Sequence, residues 1–237
     1  NFFIFFLKSH KIFLSNIIAL SKVKKTKVII SFTDNNPLIG QIGKYEKFLR
    51  CIAIQNGTRG TSHYHGWKTI NYFPHLYGFG KFEIDILNKM KKNVTRYKDV
   101  GSLKYGIFKK HFRNKLNSNN KKSIAFISTW RDTSILAVDQ NIAYSNLIKL
   151  DSISKKLNFE FKIVLNYKDK NRLQIQERQF YHSLIKNRED IFTNSSDPMN
   201  SYLTCENCDI VVTYASTLGF ELYGAGKKVI FLGTLDS

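Results

Sequence analysis

Short apolar runs rich in β-branched residues recur along this chain and alternate with longer segments of helical periodicity. The runs are KVIISF (27–32), CIAIQ (51–55), SIAFIS (123–128), EFKIVL (160–165), DIVVTY (209–214) and KKVIFLG (227–233). Such alternation is the signature of α/β architecture with parallel strands. Helical patterns are expected at 5–22, at 39–48 with Pro37 setting the start, at 139–157, 172–187, 199–206 and 217–225. FEIDILNKM (82–90) reads as a helix, or as a strand passing into one.

The rhythm breaks once, at RNKLNSNNKK (113–122), a polar stretch without apolar periodicity that reads as a linker. Two α/β units of similar build are therefore expected, 1–117 and 118–237. With 237 residues either unit can bury its own core. No short-period repeat is present.

Charge divides the same way. Of the net +19, residues 1–120 carry 22 Lys and Arg against 5 Asp and Glu, a net of +17, while 121–237 carry 15 against 13, a net of +2. A basic half suits an anionic partner such as nucleic acid, an anionic membrane surface or an acidic substrate; the other reading is solvated decoration.

Three cysteines make no disulfide framework, and a reducing compartment fits them. The C-x-x-C of TCENC (204–208) has metal or redox spacing, but no second pair and no neighbouring His accompany it. The opening NFFIFFLKSHKIFLSNIIAL is interrupted by Lys8, His10 and Lys11 and lacks a small-residue cleavage site. It reads as an amphipathic helix buried on one face, neither a membrane span nor a signal sequence. The chain starts without Met and stops just after a strand-like run, so elements missing at both ends are expected.

In open α/β sheets ligands bind where the carboxyl ends of strands meet helix N-termini. In CDIVVTYASTLGFELYGAGKKVIFLG (208–233) a strand runs into Ser216, Thr217 and Gly219 at a helix mouth, where hydroxyls and free N–H groups suit a phosphate. Glu221, one turn in, can take two vicinal hydroxyls of a ribose. A plain helix cap, with Ser216 capping and Glu221 exposed, would look the same.

That stretch resembles the donor-binding half of two-domain GT-B glycosyltransferases. The resemblance is to bacterial surface carbohydrate (polysaccharide) biosynthesis proteins and, more distantly, to glycerophosphotransferases of teichoic acid synthesis. It rests on Asp209, the strand after it, Ser216-Thr217, Phe220-Glu221 and Gly226-Lys227-Lys228-Val229, preceded in order by SFTDNN, IAIQNGTRG, DVGSLKYGIF and IAFISTWRD. It implies two Rossmann-like parallel-sheet domains facing a cleft, an acceptor-side domain at 1–117 and a nucleotide-donor domain at 118–237. The hydroxyl pair would then face the donor's phosphates and Glu221 its ribose.

On that plan Asn56-Gly57 turns the chain at a strand end and Arg59 offers a fork of donors to a carboxylate or phosphate, unless it is an ordinary surface Arg. In the glycerophosphotransferases the equivalent turn carries a His proposed as base; Asn56 cannot accept a proton at neutral pH. Asp34, at the end of VIISF, is then the best-placed base, with His63 and His65 in TSHYHGW as runners-up. A turn-initiating Asp ahead of Pro37 explains Asp34 equally well. Ser128, Thr129 and Arg131 in FISTWRD form the first loop of the second half, where Arg131 could neutralise a leaving diphosphate or pair with Asp132 or Asp139. No Asp-x-Asp pair is present, so metal dependence is not indicated.

Three functions are therefore carried forward. The first is a metal-independent glycosyltransferase moving a sugar-like unit from a nucleotide-activated donor, its substrate, to an anionic polysaccharide or lipid-linked acceptor. It would work in the cytoplasm, with peripheral contact at the inner membrane, and needs no cofactor. The second is a nucleotide-sugar 2-epimerase. The third is nucleic-acid binding, disfavoured because the aromatics fall within apolar runs and no recognition motif appears.

Overall fold

The computed structural model describes residues 9–58, 67, 70–112, 121–130, 140–167, 172–185, 191–193, 197, 199–214 and 216–232. The chain parts into two compact units between Leu103 and Lys104.

In the first unit four parallel strands stand in the order β1 (Val28–Ser31), β2 (Arg50–Ile54), β4 (His75–Gly78), β6 (Tyr97–Asp99). A parallel pair, β3 (Tyr72–Phe73) and β5 (Asn93–Val94), lies apart from them. β2 is flanked on both sides, with Ile52 opposite Ile30 and His75, and its Cys51, Ile52 and Ala53 are buried. β1 is an edge strand, and this leaves Ile30 exposed despite its apolar run.

Helix α1 (Ser9–Val23) covers the core with Leu14, Ile17 and Ile18, while Leu20 and Val23 face out. That i, i+3, i+4 stripe is the amphipathic helix expected there. α2 (Leu38–Tyr45) starts where the Asn36 side chain accepts the Leu38 N–H at 2.9 Å, and it buries Ile39 and Ile42. Its Gly40 permits close approach, since a Cβ there would lie 2.1 Å from the Tyr72 carbonyl oxygen. FEIDILNKM is helical: α3 (Lys81–Lys89) buries Glu83, Ile86 and Leu87.

The second unit holds four parallel strands in the order β10 (Val229–Phe231), β9 (Ile210–Thr213), β7 (Ser123–Ile127), β8 (Glu160–Val164). All five residues of β7 are buried. They alternate between two cores: Ile124 and Phe126 join Phe161, Ile163 and Val212, while Ala125 and Ile127 join Val164, Val211 and Leu222. A strand with helices on both faces produces this division.

The covering helices are α4 (Leu103–Phe112), α5 (Gln140–Lys156), α6 (Arg172–Leu184), α7 (Asn200–Asn207) and α8 (Thr217–Gly224). α4 packs within this unit: Phe108 stacks on Tyr202 at 5.5 Å and the Tyr105 hydroxyl donates to Glu206 at 2.7 Å. Most of the stretch expected as linker, 113–120, lies outside the described residues.

α8 ends in a Schellman motif. The Gly226 N–H donates to the Tyr223 carbonyl and the Lys227 N–H to the Leu222 carbonyl, both at 3.0 Å, with Gly226 at φ +88°. Cys205 and Cys208 are buried in the core beside it, where burial pushes both thiols up.

Candidate functional site

Each unit gathers polar side chains at the carboxyl ends of its strands. In the first unit the chain leaves β1 into Asp34, whose buried carboxylate accepts the Trp67 indole N–H at 2.8 Å on Oδ2 and the Asn56 backbone N–H at 3.1 Å on Oδ1. Asn56 in turn donates its side-chain amide to the Phe32 carbonyl at 3.0 Å. The parallel pairing of β1 with β2 therefore brings Asp34 and Asn56 together, and both serve to hold the two strand ends in place.

Next to them Gln55 is fully buried and uses both ends of its amide. Its oxygen accepts the Phe79 N–H at 2.9 Å, and its nitrogen donates to the Gly57 carbonyl at 2.9 Å and to Glu83 at 3.3 Å. Burial is the main cause pushing the Glu83 carboxyl above its ordinary range. Gln55 and Glu83 were not among the residues singled out from sequence. A Gln ending an apolar strand was the only available signal. Arg59, His63 and His65 lie outside the described residues.

In the second unit the same edge is built around a carboxylate that the sequence did not single out. Glu177, on α6, is fully buried; its Oε1 accepts the Asn166 N–H at 2.8 Å and its Oε2 the Tyr167 N–H at 3.0 Å. Ser128, at the end of β7, donates its hydroxyl to Glu177, and the same oxygen accepts the Tyr181 hydroxyl at 2.7 Å and the Trp130 N–H at 3.2 Å. Desolvation pushes the Glu177 carboxyl up. Gln174, Glu177 and Tyr181 form the buried side of α6, so their i, i+3, i+7 spacing was the missed signal. Ser128 is thus spent on this network. Arg131 lies outside the described residues.

At the turn from β9 into α8, Ser216 takes the N-cap position with extended backbone, φ −73° and ψ 134°, yet its side chain makes no capping hydrogen bond. Ser216 and Thr217 are half-buried. Gly219 is a packing glycine, because a Cβ there would come within 2.5 Å of the Thr213 Cγ2. Glu221 is buried, and its Oε2 accepts the Tyr202 hydroxyl at 2.5 Å. The exposed first-turn Glu of a plain cap is not what stands here. Among the described residues no three His, Cys, Asp or Glu side chains cluster as metal ligands. Among them, too, no helix is long and apolar enough to cross a membrane.

Two parallel-sheet lobes with polar strand ends define an α/β protein of the GT-B-like, two-Rossmann kind. Three solved structures share that fold. They are a putative UDP-N-acetylglucosamine 2-epimerase from Listeria monocytogenes (TM-score 0.60, 11% identity, 92% of this chain and 60% of that one); UDP-GlcNAc 2-epimerase from Methanocaldococcus jannaschii (TM-score 0.50, 12% identity, 92% and 64%); and a variant of the wall teichoic acid polymerase TagF (TM-score 0.50, 15% identity, 86% and 54%). This chain therefore spans between 54% and 64% of the length of those relatives. Comparison with curated proteins gives no match. Residues 52–235 match the model of a family described as "putative O-antigen biosynthesis protein", and the chain belongs to that family.

Proposed function

We propose that this chain is a nucleotide-sugar enzyme of surface polysaccharide biosynthesis whose second unit takes the nucleotide at the turn from β9 into α8. The observation supporting this most directly is the Ser216–Thr217 pair: two half-buried hydroxyl residues at a helix N-terminus, with the Ser216 hydroxyl not consumed by capping. First-turn N–H groups and the positive helix end favour a phosphate at such a place. Glu221, its carboxylate braced by Tyr202, would face the ribose, and Arg131 the diphosphate.

Two reactions suit a site of this kind. Epimerisation at C2 of a nucleotide sugar is supported by the fold likeness to two 2-epimerases, at TM-scores of 0.60 and 0.50. Glycosyl transfer to an anionic acceptor is supported by the family's description and by the net +17 on residues 1–120. Asp34 is a weak candidate for the base of a transfer, since each of its oxygens already accepts a donor; His65 is the alternative.

Incubation with UDP-N-acetylglucosamine alone in deuterated water, followed by NMR, tests the reading. A C2 epimer carrying deuterium at C2 supports the epimerase. Turnover that appears only with a polysaccharide or lipid-linked acceptor supports the transferase. Absence of any nucleotide binding to the folded chain overturns both.

A further inference from the structure

A cavity of the first unit lies at the edge opposite the polar network described above. It measures about 570 Å³ and opens beside the amino ends of the strands, between the end of α2 and the starts of β3, β4 and β5. Small-molecule sites run to about 300–1,000 Å³. Lys44, Lys47, Asn71, Tyr72, His75 and Asn93 line it, and no Asp or Glu does among the described residues.

Its charge is one-sided for a reason visible in the whole unit. Residues 1–103 contain five acids. Asp34, Glu83 and Asp99 belong to the carboxyl edge, and Asp85 acts electrostatically, with Glu83 and Asp99, on Tyr97, whose hydroxyl donates to the Gly80 carbonyl at that edge. The fifth, Glu46, is paired with Lys22 at 3.2 Å. Several cations stand at the other end. Arg50 opens β2, Arg96 immediately precedes β6, and both bear on His75 at the start of β4. Lys44 and Lys47 project from the end of α2 and the loop after it, and no carboxylate lies within ion-pair distance of either among the described residues.

The polar lining is also of a kind that reads hydroxyls. Asn93 offers a neutral amide; Asn71, whose Oδ1 accepts from Lys92 at 3.1 Å, keeps its amide N–H groups, and the Tyr72 hydroxyl, which accepts from Thr95 at 3.3 Å, keeps its O–H; the Tyr72 ring and Pro74 supply apolar surface. A small inorganic anion would use the lysines and leave this wall and most of the volume unfilled.

We propose that this cavity is a second ligand site that takes an anionic sugar unit, a sugar bearing a phosphate or a carboxylate. The inference does not depend on the nucleotide site of the second unit, and it gives the basic half of the chain a specific address for its charge.

The test titrates the whole chain calorimetrically with glucose 1-phosphate, glucuronic acid, glucose and inorganic phosphate. Lys44 and Lys47 are exposed, so a Lys44→Gln, Lys47→Gln double variant should keep the fold, which circular dichroism checks; Asn93→Trp, also exposed, fills the cavity without changing charge. The two charged sugars should bind and plain glucose should not. Loss of two charge-assisted contacts should weaken binding about tenfold or more in the double variant. Asn93→Trp should weaken it as well. Equal binding by wild type and the double variant, or inorganic phosphate binding as tightly as glucose 1-phosphate, would overturn the proposal. Binding to phosphatidylglycerol vesicles through Lys44 and Lys47 without affinity for either charged sugar would also overturn it, and would assign the cavity to a lipid headgroup.

Discussion

The indole N–H of Trp67 donates to the buried carboxylate of Asp34 at 2.8 Å, across 33 residues of sequence. That contact ties Trp67 to the chain just after β1. It also gives Asp34 a structural duty that competes with any chemical one.

Asp34→Ala should therefore destabilise the fold. Removing the acceptor leaves the buried Trp67 indole N–H without its acceptor, at about 1–3 kcal/mol. Urea denaturation should show a lower midpoint with unchanged slope. Turnover lost while stability stays within about 0.5 kcal/mol would instead make Asp34 catalytic.

Glu177 should leave a signature in the pH dependence of stability. Its folded-state pKa is raised by burial above the ordinary 4.5, so the folded form favours the protonated acid. That contribution is fully present below 4.5 and is lost as pH rises through the higher folded value. The stability of wild type relative to Glu177→Gln should fall as pH rises above about 4.5. Thermal melts of both proteins from acid to neutral pH measure the difference, and a difference that grows with pH contradicts the assigned sign.

Tyr202 and Glu221 allow the nucleotide reading to be separated from packing. Tyr202→Phe removes only the donor and should cost about 1–3 kcal/mol by leaving a buried carboxylate oxygen short of a partner. If Glu221 holds the ribose, Glu221→Gln should abolish binding in titrations with UDP, CMP, CDP and GDP, while Tyr202→Phe only weakens it. Equal effects of the two variants would make Glu221 a packing residue.

Ser216→Ala should not lower stability, because the Ser216 side chain caps nothing, but it should reduce nucleotide affinity. A loss of about 1 kcal/mol in stability, the usual cost of deleting an N-cap, would show that the hydroxyl caps α8 in solution.

Gly219→Ala should overpack the α8–β9 contact by about 1–3 kcal/mol, since the new Cβ would sit 2.5 Å from the Thr213 Cγ2. Thr213→Ser deletes that methyl. The double variant should recover stability relative to Gly219→Ala alone, and a purely additive double-mutant cycle would show that the crowding is relieved elsewhere.

What the sequence determined by itself was everything governed by local period and composition. Apolar runs such as SIAFI and IVVT had to be buried strands, and the intervening 3.6-residue patterns had to be helices covering them; two parallel-sheet units follow. The start of α2 was legible because Pro37 fixes its own φ, a local constraint. The strands His75–Gly78 and Tyr97–Asp99 were not legible. They are short and mixed in polarity, and only pairing beside β2 makes them strands.

The site divides on the same physical line. Ser216, Thr217, Glu221, Asp34 and Asn56 could be picked out because each sits near a strand end, a position periodicity reveals. The partner each side chain takes was decided by tertiary structure alone. Trp67 reaches Asp34 over 33 residues, Glu177 reaches Ser128 over 49, and Tyr202 reaches Glu221 over 19. Hydrogen bonds that close such distances depend on how sheets and helices stack, which no window of sequence contains. Likewise the net charge was in the composition, but the gathering of Asp34, Glu83 and Asp99 at one edge and of Arg50 and Arg96 at the other exists only once parallel strands align their ends.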